Sequence, residues 1–308
     1  MADVGRRGGE AARRQGASDL ERAATASRQR RVAVRRFLRH RAAVVGAGIV
    51  FAFVVFAVGA AVWTPYDSAT PVLELRLGRP SLDHPFGTDD VGRDILTRLA
   101  VGARYSLLMG VAAVGIAAGI GVPAGLVAGY KGGWWDAGAM RAVDVLMTLP
   151  SIVLAVAIVS VLGAGVGSVI LAVGVTSIPG FARLARAVAL TLREQDFVAA
   201  ARVVGASDRR ILGVHLLPNA LPPLIVQASL GVGGTILIAS ALGFLGLGVQ
   251  PPTPEWGAML SRGRTYISSA PHLVLCPGVA IAVLVLGFNL LGDGLRDALD
   301  PRLRGMTE

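Results

Sequence analysis

The chain has 308 residues, of which 53% are hydrophobic and 16% charged, with a net charge of +10 at neutral pH. That balance is too apolar for an ordinary soluble domain, although the length alone would allow two domains. The basic excess does not mark a nucleic-acid binder, because residues 1–41 hold 12 Arg against 4 acids and so carry +8 of the total in one terminal stretch.

Residues 1–41 read as a disordered cytoplasmic tail, too long and too Arg-dense for a cleaved signal. Residues 42–104 read as a first transmembrane helix and an external loop. Ala42–Trp63 is an uncharged run of 22 residues, about 33 Å as a helix and so long enough for the hydrocarbon core. Trp63 and Tyr66 suit the far interface. Thr64–Arg104 is a polar loop holding Asp89, Asp90 and Asp94. Their spacing does not match a calcium-binding loop, and Arg93 and Arg98 stand close enough to neutralise them, so a capped lead-in to the second span is the simpler reading.

Residues 105–292 read as the core. The second span, Tyr105–Gly129, places Ala113, Ala117, Gly121, Gly125 and Gly129 every four residues on one face. Small residues so spaced let another helix approach closely, and Pro123 should kink the span. The third span is expected at Ala139–Leu162, with Arg141 and Asp144 one turn apart as an ion pair and Pro150 as a bend that could hinge. The fourth is expected at Val166–Ala182, ended by Arg183 and Arg186. The fifth runs over Leu224–Val249, behind Pro218, Pro222 and Pro223. An outer loop at Gln250–His272 precedes a sixth span at Leu273–Leu291, where Asn289 and Asp293 admit a functional or a structural reading. Residues 293–308 are expected as a cytoplasmic tail. Cys276, the only cysteine, excludes an internal disulfide and falls in an apolar run where a buried thiol is inert.

The segment 193–219, REQDFVAAARVVGASDRRILGVHLLPN, stands apart as polar-patterned sequence between two apolar runs. Phe197, Ala200, Ala201 and Val204 share a helical face, with Asp196 largely away from it. Gly205 suits a helix end with positive φ, and Ser207 an N-cap with Asp208 in the first turn behind it. Pro218, just after His215 and Leu217, is expected to mark a boundary. Taken alone, such a segment is as well read as an interfacial amphipathic helix as a docking ridge. Six spans with the N-terminus inside put 23 Lys/Arg on the cytoplasmic side and 7 outside, the usual bias, and they place this segment in the cytoplasm with both termini.

The pattern Ala200-Ala201-x-x-x-Gly205, then nine residues to His215-x-Leu217-Pro218, resembles the EAA loop of permease subunits in binding-protein-dependent ABC importers. The general pattern has Glu and Ile where this chain has Ala199 and His215. The His-x-Leu-Pro-Asn ending, the phrase FGTDDVGRD and the run Asp-Val-Leu-Met-x-x-Pro from Asp144 to Pro150 are similar to the oligopeptide/dipeptide/nickel branch. The resemblance covers about Asp83 to Arg304. It implies an all-α membrane protein of six transmembrane helices with a cytoplasmic coupling helix, in the bacterial inner membrane. It also implies a second homologous permease, two ATP-binding cassette ATPase subunits and an extracytoplasmic solute-binding protein as partners. ATP and Mg²⁺ would then belong to the ATPase subunits, with no cofactor in this chain. Peptides are the expected cargo, with nickel or another small solute as the alternative, and Phe197, Ala200, Ala201 and Gly205 are the expected docking residues.

Absences point the same way. The single lysine, Lys131, is followed by Gly132, so no phosphate-binding G-x-x-x-x-G-K-[ST] exists here, and neither H-E-x-x-H nor G-x-S-x-G occurs. The chain is not expected to be an enzyme or to hold a metal. An ion-coupled secondary transporter is the reading from another class; it calls for mid-membrane acids and repeated halves, neither of which stands out.

Overall fold

The computed structural model describes residues 37–38 and 40–299. Most of the expected tail at 1–41, and the end of the expected 293–308 tail, lie outside the described residues. Apart from the irregular stretch 63–94, which holds a short 3₁₀ turn at Leu73–Leu75 and one isolated bridge between Thr88 and Asp94, the described residues are mainly helical. The helices are α1 (Arg41–Val62), α2 (Ile95–Lys131), α3 (Gly133–Leu146), α4 (Ser151–Leu162), α5 (Val166–Leu192), α6 (Asp196–Val203), α7 (Asp208–Phe244), α8 (Trp256–Gly263) and α9 (His272–Leu299). Five of them are long and apolar enough to cross a membrane, and α3 with α4 forms a bent pair that makes a sixth transit if counted as one.

The third span is therefore not a single rod. It breaks by 83° between α3 and α4. Pro150 has no N–H to donate and drives Leu149 out of helical geometry. The chain turns there, with the Thr148 hydroxyl donating to the Val145 carbonyl at 2.7 Å. The expected hinge residue is thus a sharp corner, and each half alone is too short to span. Pro123, by contrast, leaves α2 continuous over its 37 residues.

Most helix ends run longer than expected, although the fifth span stops at Phe244, five residues short of the expected Val249. α2 starts at Ile95, ten residues before the expected Tyr105, because the Asp94 carboxylate caps it by accepting from the Thr97 amide at 2.7 Å. At about 1.5 Å per residue it is roughly 56 Å long, so its first turns stand outside the apolar zone. α5 continues past Arg183 and Arg186 to Leu192, and α9 continues to Leu299, into what reads as tail. The expected outer loop at 250–272 contains α8. Charged residues end the apolar stretch, not the helix, since backbone hydrogen bonds persist once the helix leaves the membrane.

The seam between α2 and α5 organises the bundle. A Cβ on Gly121 would lie 2.8 Å from the Ile178 carbonyl oxygen and one on Gly129 2.6 Å from that of Arg186; one on Gly125 would run into the Ala182 carbonyl. The three glycines follow the α5 backbone at four-residue steps, and Ala113 and Ala117 above them are fully buried. In a bilayer, where lipid tails are as apolar as the helices, such van der Waals contact replaces hydrophobic burial as the driving force.

At the end where α2 starts, the carboxylates are consumed structurally. Asp89 accepts from Arg93 Nε at 2.7 Å and lies 3.4 Å from Arg98 Nε, and Asp90 faces Arg262 at 3.6 Å. Trp256 is buried and donates to the Leu99 carbonyl at 3.0 Å, tying α8 to α2. Glu255, also buried, caps α8 by accepting from the Gly257 and Ala258 amides, both at 2.8 Å. At the opposite end, His40 at the start of α1 meets Asp297 near the end of α9 at 3.1 Å. The first and last helices therefore begin and finish at one end of the bundle.

Two predictions follow from this packing. Gly125→Val must push α2 off the Ala182 carbonyl and should cost about 1–3 kcal/mol, read as a lower melting temperature in detergent. Gly115→Ala, at a position with nothing within 4 Å, should leave melting unchanged; equal effects of the two would count against the seam. Burial pushes the Glu255 carboxyl up to about 7, against the two amide bonds that pull it down. The folded chain then holds that proton more tightly than the unfolded one, so this group's contribution is full below about pH 4.5 and declines as pH rises towards about 7. Glu255→Gln should flatten that decline in melting temperature measured across the same pH range.

Candidate functional site

The segment 193–219 is built as two helices joined by a glycine turn. α6 ends in a turn where Gly205 takes φ +77°, the Ala206 amide donates to the Ala201 carbonyl and the Gly205 amide to the Arg202 carbonyl, both at 3.0 Å. This is the Schellman arrangement, and it requires a residue at ease with positive φ. Ser207 stands at the start of α7 in extended conformation, but its hydroxyl caps nothing. The expected Ser cap is therefore absent.

Asp208 does more than complement the helix dipole. Its Oδ1 accepts from the Tyr130 hydroxyl at 3.0 Å, and its Oδ2 lies 3.5 Å from Lys131 Nζ. The Arg202 guanidinium lies over the Tyr130 ring at 5.2 Å, and Arg193 Nη1 donates to the Gly129 carbonyl at 3.0 Å. Four contacts thus strap the segment to the last turn of α2. Tyr130 was not legible as a site residue; the only sequence signal was an aromatic hydroxyl beside a lone lysine at the end of an apolar span.

The segment has two faces, and one expected docking residue lies on the wrong one. Val198, Ala201, Ile211 and Leu216 are buried against the bundle. Ala201 is only 6% exposed, whereas Phe197 is 39%, Val203 87% and Val204 82% exposed, with Ala200 and Asp196 also open. At about 100° per residue, Ala201 sits between Phe197 and Val198 on the helical wheel, and its small side chain is covered by the inner neighbours. Ala201 therefore anchors the helix, and the open ridge is Phe197, Ala200, Val203 and Val204.

Pro218 does not mark a boundary. The chain passes from the turn Asp208–Arg210 through a π-helical stretch, Ile211–Leu216, straight into the α-helix Leu217–Phe244. Proline is tolerated near the start of a new α-helical register, and the Asn219 side chain donates back to the His215 carbonyl at 2.7 Å. His215 is half-buried with its ring 6.4 Å from that of Phe197, and Leu217 and Pro218 are exposed.

The expected Arg141–Asp144 pair is also replaced. Asp144 accepts from Arg183 Nη2 at 2.7 Å, and Asp136 takes Arg186 through two bonds at 2.5 and 2.7 Å. Both join α3 to α5, while Arg141 is exposed and makes no ion pair among the described residues. Fixed side by side, α5 reaches a partner that α3 cannot reach within its own turn. Asn289 lies close to Gly233 on α7, and Asp293 is exposed.

Above the segment, α2, the α3–α4 corner, α5 and α7 enclose a cavity of about 430 Å³. Its polar lining comes from Ser151, Thr176, Ser177, Gln227 and Thr235, with no ionisable side chain among the lining residues. Thr176 and Ser177 donate to the Val173 carbonyl, and Thr235 to those of Gly110 and Val232. The α7 wall of this cavity and the second half of the strapped segment, from Asp208 on, belong to one helix, so displacement of the segment can reach the cavity directly.

Residues 121–305 match the family described as the binding-protein-dependent transport system inner membrane component, and residues 28–79 match the N-terminal transmembrane domain of oligopeptide transport permease C. A dipeptide transport system permease protein of Alkalihalophilus pseudofirmus is 47% identical over 89% of this chain and 90% of its own length. A glutathione transport system permease protein of Escherichia coli is 50% identical over 88% of this chain and 90% of its own. Among solved structures, an inward-facing conformation of the MetNI methionine ABC transporter shares the fold, with a TM-score of 0.54 at 21% identity, over 66% of this chain and 96% of that one.

Removing the strap should loosen the segment without disturbing the spans. Tyr130→Phe combined with Asp208→Ala should raise amide exchange over residues 196–216 by about tenfold, the equivalent of two or so hydrogen bonds. Hydrogen-exchange mass spectrometry would read this, and unchanged exchange would show that the strap carries no load.

Proposed function

This chain belongs to the binding-protein-dependent transport system inner membrane components, and from that membership we propose that it forms half of the translocation path of an ATP-driven importer of di- or oligopeptides. As a multi-pass inner-membrane permease subunit of this family, it works with ATPase subunits and a binding protein rather than as an enzyme. In our reading the remaining half of the path is a second homologous permease, and two ATPase subunits dock below. ATP and Mg²⁺ act on those subunits. Both termini and the segment 193–219 face the cytoplasm, in keeping with the excess of Lys/Arg on that side.

The observation that carries the peptide reading is the near-full-length similarity to dipeptide and glutathione permeases. The geometry supports a mechanism for the coupling. Phe197, Ala200, Val203 and Val204 offer an apolar ridge, an exposed feature of the kind that marks a protein contact. Gly205 sets the angle between that ridge and α7. When ATPase closure moves the ridge, α7 carries the movement to the cavity wall. For transmission, the ridge must bind its partner with different energies in the two states of the permease; equal binding in both would shift nothing.

Phe197→Ala and Gly205→Ile test this reading. The first removes the largest apolar contact of the ridge. The second forces a β-branched residue into φ +77°, at a cost above the 1–2 kcal/mol typical of left-handed backbone, or about tenfold in a docking equilibrium. Both proteins should reach the membrane with the partner permease bound, yet retain about a tenth of the ATPase subunits on detergent pull-down followed by mass spectrometry. Full retention by both variants would exclude the ridge as the docking surface.

A further inference from the structure

Two polar side chains of the cavity make no hydrogen bond among the described residues, the Ser151 hydroxyl at the α3–α4 corner and the larger amide of Gln227, which offers both donors and an acceptor. Gln227 lies on α7 ten residues beyond Leu217, about 15 Å along the helix and within its apolar stretch. The cavity hydroxyls of Thr176, Ser177 and Thr235 are already committed to backbone carbonyls. The Gln227 side chain is half-buried and makes no hydrogen bond among the described residues. Across from it α5 carries Gly180, where a Cβ would stand 3.5 Å from Gln227 Nε2. The opposing wall is thus cut back to bare backbone beside the amide.

A primary amide in a largely apolar cavity is costly unless it finds partners. It presents one carbonyl acceptor and two N–H donors in a plane. A backbone amide of the cargo matches it one bond at a time, its N–H donating to the Gln carbonyl or its C=O accepting from the Gln N–H, because the two groups of a trans peptide point opposite ways. No lining side chain is ionisable, so the site has no carboxylate for a metal cation and no guanidinium or ammonium for a strong anion. A backbone amide, by contrast, occurs in every peptide whatever its side chains. We propose that Gln227 holds a peptide-bond amide of the cargo as it passes through this cavity. This deepens the peptide-import reading and rests on it. It also accounts for a path that accepts varied side chains while keeping hold of a peptide.

The test is a cycle between cargo and permease. The full complex, with partner permease, ATPase subunits and binding protein, is reconstituted in proteoliposomes. Uptake is measured for labelled Ala-Ala and for its ester analogue, in which oxygen replaces the peptide N–H. Changing amide to ester costs uptake at the binding protein equally for every permease variant, so only the difference between variants reports on Gln227. In the unsubstituted complex the ester should be imported more slowly than Ala-Ala. Gln227→Leu should slow Ala-Ala by roughly five- to tenfold, the loss of one hydrogen bond, and should shrink the amide-to-ester ratio by at least threefold. Gln227→Glu supplies a second variant. It should raise uptake of Ala-Lys relative to Ala-Asp several-fold, which a residue that merely packs against the partner permease would not do.

Ratios unchanged in both variants, with their ATPase subunits still bound, would overturn the assignment while leaving peptide import intact. Slower uptake by Gln227→Leu with an unchanged amide-to-ester ratio would overturn it too, showing a structural role. An unsubstituted complex that imports none of these peptides would overturn the peptide reading and the Gln227 assignment together.

Discussion

Backbone-to-backbone contact along Gly121, Gly125 and Gly129 is the constraint on which the other features rest. At these three positions a single methyl group would strike a carbonyl oxygen of α5. Close approach of this kind gives no freedom of register, because each glycine faces one turn of the partner helix. With α5 so fixed, Arg183 and Arg186 meet Asp144 and Asp136 and hold α3 in place. The same seam runs down to Gly129 and Tyr130, where the strap to Arg193, Arg202 and Asp208 begins. One interface therefore sets the cavity wall and the position of the segment 193–219 at once.

Charge is arranged around this seam in a way the bilayer dictates. Ion pairs gather at the two ends of the bundle: Asp89, Arg93, Arg98, Asp90 and Arg262 at one, Asp136, Arg186, Asp144 and Arg183 at the other. Between them the cavity is lined by hydroxyls, an amide and apolar groups. A buried unpaired charge would be expensive there, and it would also bind a charged cargo too firmly to release it. A transport path gains from weak, repeated contacts, which neutral donors and acceptors provide.

The segment 193–219 combines a fixed face with an open one. Val198 and Ala201 hold α6 to the bundle while Phe197, Ala200, Val203 and Val204 remain uncovered. A helix attached on one side and free on the other can be pushed as a body. The π-helical stretch and three prolines at the foot of α7 leave several carbonyls without helical donors, so this part of the helix is the easiest to bend. That stretch joins the turn at Gly205 to the rest of α7.

The amino-acid sequence by itself determined the features that depend on local order. Hydropathy located the apolar runs, a four-residue repeat of small side chains identified the seam on α2, and the glycine at position 205 marked the turn of the docking segment. Each of these is written in neighbouring residues, because helical periodicity and backbone preference act over a few positions. Tertiary structure alone decided the rest. It gave Asp144 to Arg183 instead of Arg141, turned Ala201 inward, carried α7 through Pro218 and left Gln227 without a partner. Those outcomes depend on which groups two distant helices bring within a few ångströms of each other. Spacing along one chain holds no record of that distance.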